Sequence, residues 1–403
     1  MKRSILATAF LLLAMVHSLP LTAQERERAG LNLSIWKGVA TQDADKQAAT
    51  ALNLGILSHC HRLTGVGINL LSGKAKASVQ GLQVAGLANI AGGNAAGLQL
   101  AGIGNINGGS LAGLTLSGIT NITGDNLRGL SLAGLTSIAG NNAYGLTAAG
   151  LANITGNRTQ GISLGGLLNL NGSEGAGLHA GGLAHIAGND FRGISIGGLA
   201  SVGGGDMTGL QMAGLINVAG ERLKGVQAGA MNVAVEARGV QIGLVNYYEK
   251  RLDGFQLGLV NANPHTRVQL MLFGGNGSKF NVGARFKNRL FYTILGAGSH
   301  YFGLGQDCSA SFFYRAGLEL PLWKSLHISG DLGFGHIEAF ANRHHGYPER
   351  LYSLEARVNL ECRLTPSFGL FASTGYGGSR HYDRPQGYRQ GVIAEGGVIL
   401  FGY

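Results

Sequence analysis

From Gly81 to Lys224 the pattern of apolar and polar positions returns at every sixteenth position, through nine units without an insertion or deletion. With Gly81 as offset zero, glycine returns at offset 0 (Gly81, Gly97), offset 5 (Gly86, Gly102) and offset 11 (Gly92, Gly108) in every unit. Leucine, isoleucine or a similar apolar residue occupies offsets 1, 6 and 9, as in Leu98, Ile103 and Ile106. Offset 2 is polar (Gln83, Gln99, Thr115, through His179 and Gln211), and offset 8 is Asn89, Asn105, Asn121, Ser137, Asn153, Asn169, His185, Ser201 and Asn217. Glycine permits sharp turns and close backbone approach, so each unit reads as one triangular coil with legs of five, six and five residues. A single coil cannot bury an apolar face, whereas stacked coils can, which predicts a glycine-rich β-solenoid. On this reading the leucines and isoleucines point inward and offset 2 points outward. The offset-8 asparagines form a ladder hydrogen-bonded from coil to coil, a structural feature and not a binding site.

Shorter units continue the pattern. Gly225, Gly239 and Gly254 open GVQAGAMN, GVQIGLVN and GFQLGLVN, which end in Asn232, Asn246 and Asn261. Upstream, the stretches beginning at Ala51 and Gly65 fit loosely, giving up to 14 units. At about 4.8 Å per stacked strand the solenoid is roughly 65 Å long. Charge within the nine strict units is confined to offsets 12 to 15, from Asp125 and Arg128 to Arg222 and Lys224, along one edge of the stack.

A competing reading takes the charge-free stretches as hairpins of one large transmembrane β-barrel working as a porin-like channel. Against it, period-two alternation breaks at offsets 4 and 5 in every unit. From Gly81 to Asn246 the only aromatic residues are Tyr144 and Phe191, too few for interfacial girdles.

From His265 onward the material changes: 22 of the 29 aromatic residues lie in the last 139 positions, and charge spreads through the sequence. Leu354, Ala356, Val358, Leu360 and Cys362 alternate with Glu355, Arg357, Asn359, Glu361 and Arg363, as in a strand with one apolar and one polar face. Similar runs near 267–273, 279–286, 289–297, 309–320, 325–338, 366–376 and 390–403 give about eight antiparallel strands, enough for a small outer-membrane barrel; a soluble β-sandwich is the alternative. Phe291, Tyr292, Tyr301, Phe302, Phe312, Phe313 and Tyr314 bracket these strands as an interfacial girdle would. The ending Ile399, Leu400, Phe401, Gly402, Tyr403 resembles the terminal strand of outer-membrane barrels, although Glu395 interrupts one face.

Residues 1–23 combine Lys2 and Arg3, an apolar run from Ile5 to Val16 and Leu-Thr-Ala at 21–23, the pattern of a secretory signal peptide. The expected organisation is therefore a signal peptide (1–23), an amino-terminal cap strand (24–50), the repeats (51–264) and an antiparallel β-domain (265–403). Loss of Lys2 and Arg3 lowers the formal charge from +10 to +8, a modest surplus. Cys60, Cys308 and Cys362 are too few for a disulfide framework.

Chemistry-bearing motifs are sparse. His59-Cys60-His61 has ligand-type residues, but alternation sends Cys60 to the opposite side from its neighbours and no second cluster completes a site. His344 and His345 fall in a polar loop, GNGSKF at 275–280 lacks the strand–loop–helix context of a nucleotide site, and Asp383 to Gly387 reads as a turn. Asp331 and Glu338 are lone carboxylates. No paired acid and base, cofactor, metal or nucleic-acid site is expected.

The units GLQVAGLANIAGG, GVQIGLVN and GFQLGLVN, followed by a strand-rich tail with FYTILGAG, resemble a family of uncharacterised bacterial surface-repeat proteins built on G-x-Q-x-G-L-x-N units. The resemblance implies export to the cell surface or outer membrane and assigns no catalytic residues. The expected partners are outer-membrane lipid and a surface glycan or protein, met by a repetitive polar surface in a structural or adhesive role.

Overall fold

A computed structural model describes residues 30–36, 38–299, 309–340, 349–382 and 389–402. The signal-peptide segment 1–23, Cys308, His344, His345, Tyr301, Phe302, Tyr403 and the 383–387 turn lie outside them. The fold is all-β, a parallel β-solenoid of about 14 turns followed by a closed eight-stranded antiparallel barrel. By internal contacts the chain forms two compact units, Met1–Glu221 and Arg222–Tyr403.

In the first unit each regular coil carries a seven-residue strand and a four-residue strand, such as Ala95–Ala101 and Gly104–Asn107. Each pairs in parallel with its equivalent one period away, Gly97 with Gly113 and Asn105 with Asn121. Hairpins pair antiparallel, so this register overturns the single large barrel and the channel built from it. The glycines serve two needs. At offset 0 the backbone enters the left-handed half of φ space, 120° at Gly97, and this bend separates two faces of the coil. At offset 5 the need is clearance: a Cβ on Gly134 would lie 1.8 Å from the carbonyl oxygen of Gly118 in the preceding coil. Upstream, the chain stays extended through Ala49–Ala85. Gly30–Trp36 pairs with it in parallel, Leu31 beside Leu52, and so caps the stack.

Alternation restarts after each glycine, and the structure reverses the expected sense of it. The offset-2 residues from Gln83 to Gln211 are buried, as are the offset-8 residues from Asn89 to Asn217. Leucines and isoleucines at offsets 1, 6 and 9 face outward, Ile103 at 44 % exposure and Leu135 at 49 %. The physical reason is width. Offset 4 is small throughout, as in Ala85 and Gly165, and offset 10 is small or polar, as in Ala91, Ala139 and Asn107, which brings opposite walls close, and offset 14 admits large apolar residues such as Leu111, Leu127, Phe191 and Met207. Between walls this close, amides bridging successive coils fill the interior better than branched alkyl groups.

The second unit begins with the shorter coils. Met231–Ile242, Val245–Leu257 and Val260–Ala262 stack in parallel, with Asn232 over Asn246 and Asn246 over Asn261. The barrel strands are Arg267–Gly275, Phe280–Asn288, Phe291–Ser299, Ser309–Pro321, Leu326–Ala339, Glu349–Thr365, Phe368–His381 and Arg389–Leu400. The last pairs with the first, Leu270 beside Leu400, and closes the sheet, which overturns the sandwich alternative.

The barrel too has polar contents and an apolar exterior. Arg357, Asn359 and Glu361 point inside, whereas Leu332 (70 % exposed), Leu354, Val358 and Val392 point out. Eight strands enclose a space that side chains fill. Here Arg285 pairs with Glu361 at 2.7 Å, Arg315 with Glu395 at 3.0 Å, and Tyr292 donates to Asp331 at 3.0 Å. Glu395 thus interrupts no outer face; it neutralises interior guanidinium groups. The aromatic girdle needs correction as well, because Tyr292 is buried inside and Phe313 packs inward with Phe273 and Phe371.

Candidate functional site

The polar columns are the feature the repeats build most consistently. Asn89 Nδ2 donates to Asn105 Oδ1 and Asn105 Nδ2 to Asn121 Oδ1, both at 2.9 Å. The same amides reach main-chain oxygens of Leu100 (2.7 Å), Leu116 (2.8 Å) and, from Asn121, Leu132 (2.8 Å). Where Ser137 interrupts the column, Asn153 Oδ1 has no partner, and Asn169 Nδ2 turns to Ser163 O at 2.7 Å. Asn217 is buried in the same column. In the second unit Asn232, Asn246 and Asn261 are linked at 2.8 Å each, and Gln227, Gln241 and Gln256 form a parallel column at 2.7 Å. Upstream of Asn89 the column stops at Gly73, which has no side chain, and Asn32 Nδ2 donating to Asn53 Oδ1 at 2.8 Å is a separate interior pair. These amides are sealed from solvent. They act as a structural ladder, and a repetitive polar surface has to come from the outward side chains of the coil.

Two histidines replace the usual residues where the offset-2 and offset-8 columns face each other across the interior. His179 and His185 meet edge to face with centroids 5.2 Å apart, and both contact Phe191 at 4.9 and 5.0 Å. His179 Nδ1 lies 3.0 Å from Asn171 Nδ2, and His185 Nδ1 bonds Ser195. Burial pushes His179 down to about 4, and burial together with its neighbour pushes His185 down to about 3. Both rings are neutral at neutral pH. Cys60 is also interior, its thiol pushed up to about 11 by burial against the opposing hydrogen bond with Thr50. Among the described residues no three His, Cys, Asp or Glu side chains group as a metal site would require.

The outside of the coil divides by chemistry. At offset 6, Leu87, Ile103, Ile119, Leu135, Leu151, Leu167, Leu183, Leu199 and Leu215 form an unbroken ridge, each 40 to 57 % exposed. Beside it runs a shallow groove of about 990 Å³, walled by Leu100, Leu116, Leu132 and Leu164 and floored by Ala101, Gly102, Ala133 and Gly134. The third side is polar. Asn141 donates to Asp125 at 3.2 Å, Asn157 to Asn141 at 3.3 Å and Asn142 to Asn126 at 2.7 Å. Arg158 pairs with Glu174. Hydrogen bonds from Ser110 and Asn141 hold the Asp125 carboxyl below the usual carboxylate range.

No protein-family model matches the sequence, and no curated protein matches it. Among solved structures the chain is similar to the N-terminal β-barrel domain of Pseudomonas aeruginosa OprF, at 14 % identity and a TM-score of 0.24, over 34 % of this chain and 95 % of that one.

Proposed function

We propose that the chain is an exported outer-membrane repeat protein with a structural or adhesive role, anchored by its barrel. The observation that carries this reading is the barrel's inverted residue distribution. Charged and amide side chains fill the lumen, and a belt of leucine, valine and phenylalanine faces outward, the arrangement hydrocarbon requires and water disfavours. The leader-like pattern of residues 1–23 and the resemblance to surface-repeat proteins support the same location.

The outward polar side of the solenoid, with its columns through Asp125, Asn141 and Asn157, is the repetitive surface offered to a glycan or protein. Affinity on such a surface accumulates over coils and is not lodged in one site. The test is fractionation of the expressed full chain with carbonate extraction, followed by electrophoresis with and without boiling. Retention in the outer-membrane fraction and a heat-dependent mobility shift are expected. A full chain that stays in solution without detergent would end the reading.

A further inference from the structure

We propose that the two apolar sides of the solenoid are a lipid-contact surface, with acyl chains as their partner. The proposal rests on the membrane reading of the barrel and extends it to the repeats.

The first argument is area. Nine ridge residues span eight coil steps of about 4.8 Å, roughly 38 Å, and each flanking side is about 13 Å wide for four strand residues. The product is on the order of 1,000 Å², beyond the few hundred Å² of contiguous apolar surface that a soluble monomer exposes. Formal charge within these nine units is absent from offsets 0 to 11.

The second argument is the backbone. Hydrocarbon excludes irregular chain because unpaired N–H and C=O groups are costly there. The ridge lies on a turn, yet its amides are paired from coil to coil: Ile119 N donates to Ile103 O at 2.9 Å, Leu135 N to Ile119 O at 2.9 Å and Leu151 N to Leu135 O at 2.8 Å. Even the corner therefore presents a satisfied backbone beneath alkyl side chains. The polar corner is paired in the same way, Asn157 N to Asn141 O at 2.8 Å, so the pairing makes the ridge compatible with hydrocarbon while the apolar side chains distinguish it.

The third argument is continuity within the second unit. Its coils carry the same outward residues, among them Ile242, Leu244 and Phe255, all exposed. The Phe255 ring lies 6.0 Å from that of Phe291 on the barrel, and Tyr314 of the barrel donates to Gly258 O at 2.8 Å. The apolar exterior of the coils thus runs onto the apolar exterior of the barrel. A second copy of the chain fits less well. The two sides meet at a convex ridge, which fluid acyl chains can wrap and a flat copy cannot cover on both flanks.

The test uses the full chain with Cys308→Ser and Cys362→Ser, the buried Cys60 being left in place. A nitrobenzoxadiazole label is attached at Leu151→Cys on the ridge, Asn157→Cys on the polar side or Leu332→Cys on the barrel belt. Each variant is reconstituted into phosphatidylcholine–phosphatidylglycerol vesicles containing doxyl-labelled lipid. The expected result is quenching at positions 151 and 332 several-fold stronger than at 157, with iodide quenching in the opposite order. Lipid quenching at 332 with iodide quenching at 151 would overturn the lipid surface and leave the barrel anchor standing. Screening of 151 from both quenchers would overturn it in favour of a protein partner. Absence of lipid quenching at 332 would remove the membrane reading and this proposal together.

Discussion

Acidification from pH 7.5 to 5 is predicted to destabilise the solenoid through one histidine pair. His179 and His185 titrate at about 4 and about 3 in the fold, against an ordinary value of 6.5. The groups facing them are Asn171, Phe191 and Ser195, none able to balance an imidazolium charge. Because the unfolded chain binds these protons first, the stability is complete above pH 6.5 and is lost as the pH falls toward 4 and then 3. One pKa unit corresponds to about 1.4 kcal/mol, so each ring costs about 2 kcal/mol by pH 5 and the pair about 4 kcal/mol. At about 2–4 °C per kcal/mol for a unit of this size, the midpoint falls by roughly 10 °C. The assay is thermal unfolding of the detergent-solubilised full chain, followed by circular dichroism at both pH values. The comparison is with His179→Ser/His185→Asn, which restores residue types found elsewhere in the two columns. The double variant should lose most of the pH dependence; equal midpoint shifts in the two proteins would refute the reasoning.

Three further outcomes follow from the packing. Gly134→Ala forces a Cβ to within 1.8 Å of a main-chain oxygen. Overpacking against backbone that cannot move aside should cost about 3 kcal/mol or more. At Gly203 the nearest atom to an added Cβ is 3.9 Å away. Gly203→Ala should therefore stabilise by roughly 0.4–1 kcal/mol, through the unfolded chain, and chemical denaturation distinguishes the two variants. Asn121→Asp places a carboxylate 2.8 Å from the Leu132 carbonyl in a sealed column. It should lower the thermal midpoint more than Asn121→Ser, which keeps a hydroxyl in the column as Ser137 does. Glu395→Gln leaves Arg315 and Arg357 without their shared carboxylate. Its cost should be about 3–5 kcal/mol, read as a lower temperature for the heat-dependent electrophoretic shift.

Much of the architecture is legible in the residues. The glycine period marks each coil, the Gly225, Gly239 and Gly254 units extend it, and the period-two runs locate all eight barrel strands to within a few positions. What alternation cannot state is which of two faces is inside. Assigning Leu98 and Ile103 to the interior assumes an apolar core, and both domains of this chain enclose polar side chains instead. The barrel strand carrying Arg357 and Glu361 is itself the available signal. Its polar face must be enclosed if the strand lies in a bilayer, and the same logic transfers to Gln99 and Asn105. The histidine pair is visible as two residue types at offsets 2 and 8. Its contact is not, because it depends on how closely the small residues at offset 4 draw the walls together.

The inversion itself is tested most directly by thiol accessibility within a single coil. Leu135→Cys and Ser137→Cys, two residues apart, are placed separately in the folded, detergent-solubilised full chain with Cys308 and Cys362 replaced by serine, and treated with N-ethylmaleimide. The structure predicts faster modification at 135, where the native side chain is 49 % exposed, than at 137, where it is 4 % exposed and stays protected until the protein is unfolded. Protection at 135 with rapid modification at 137 would show a conventional apolar core and contradict the account.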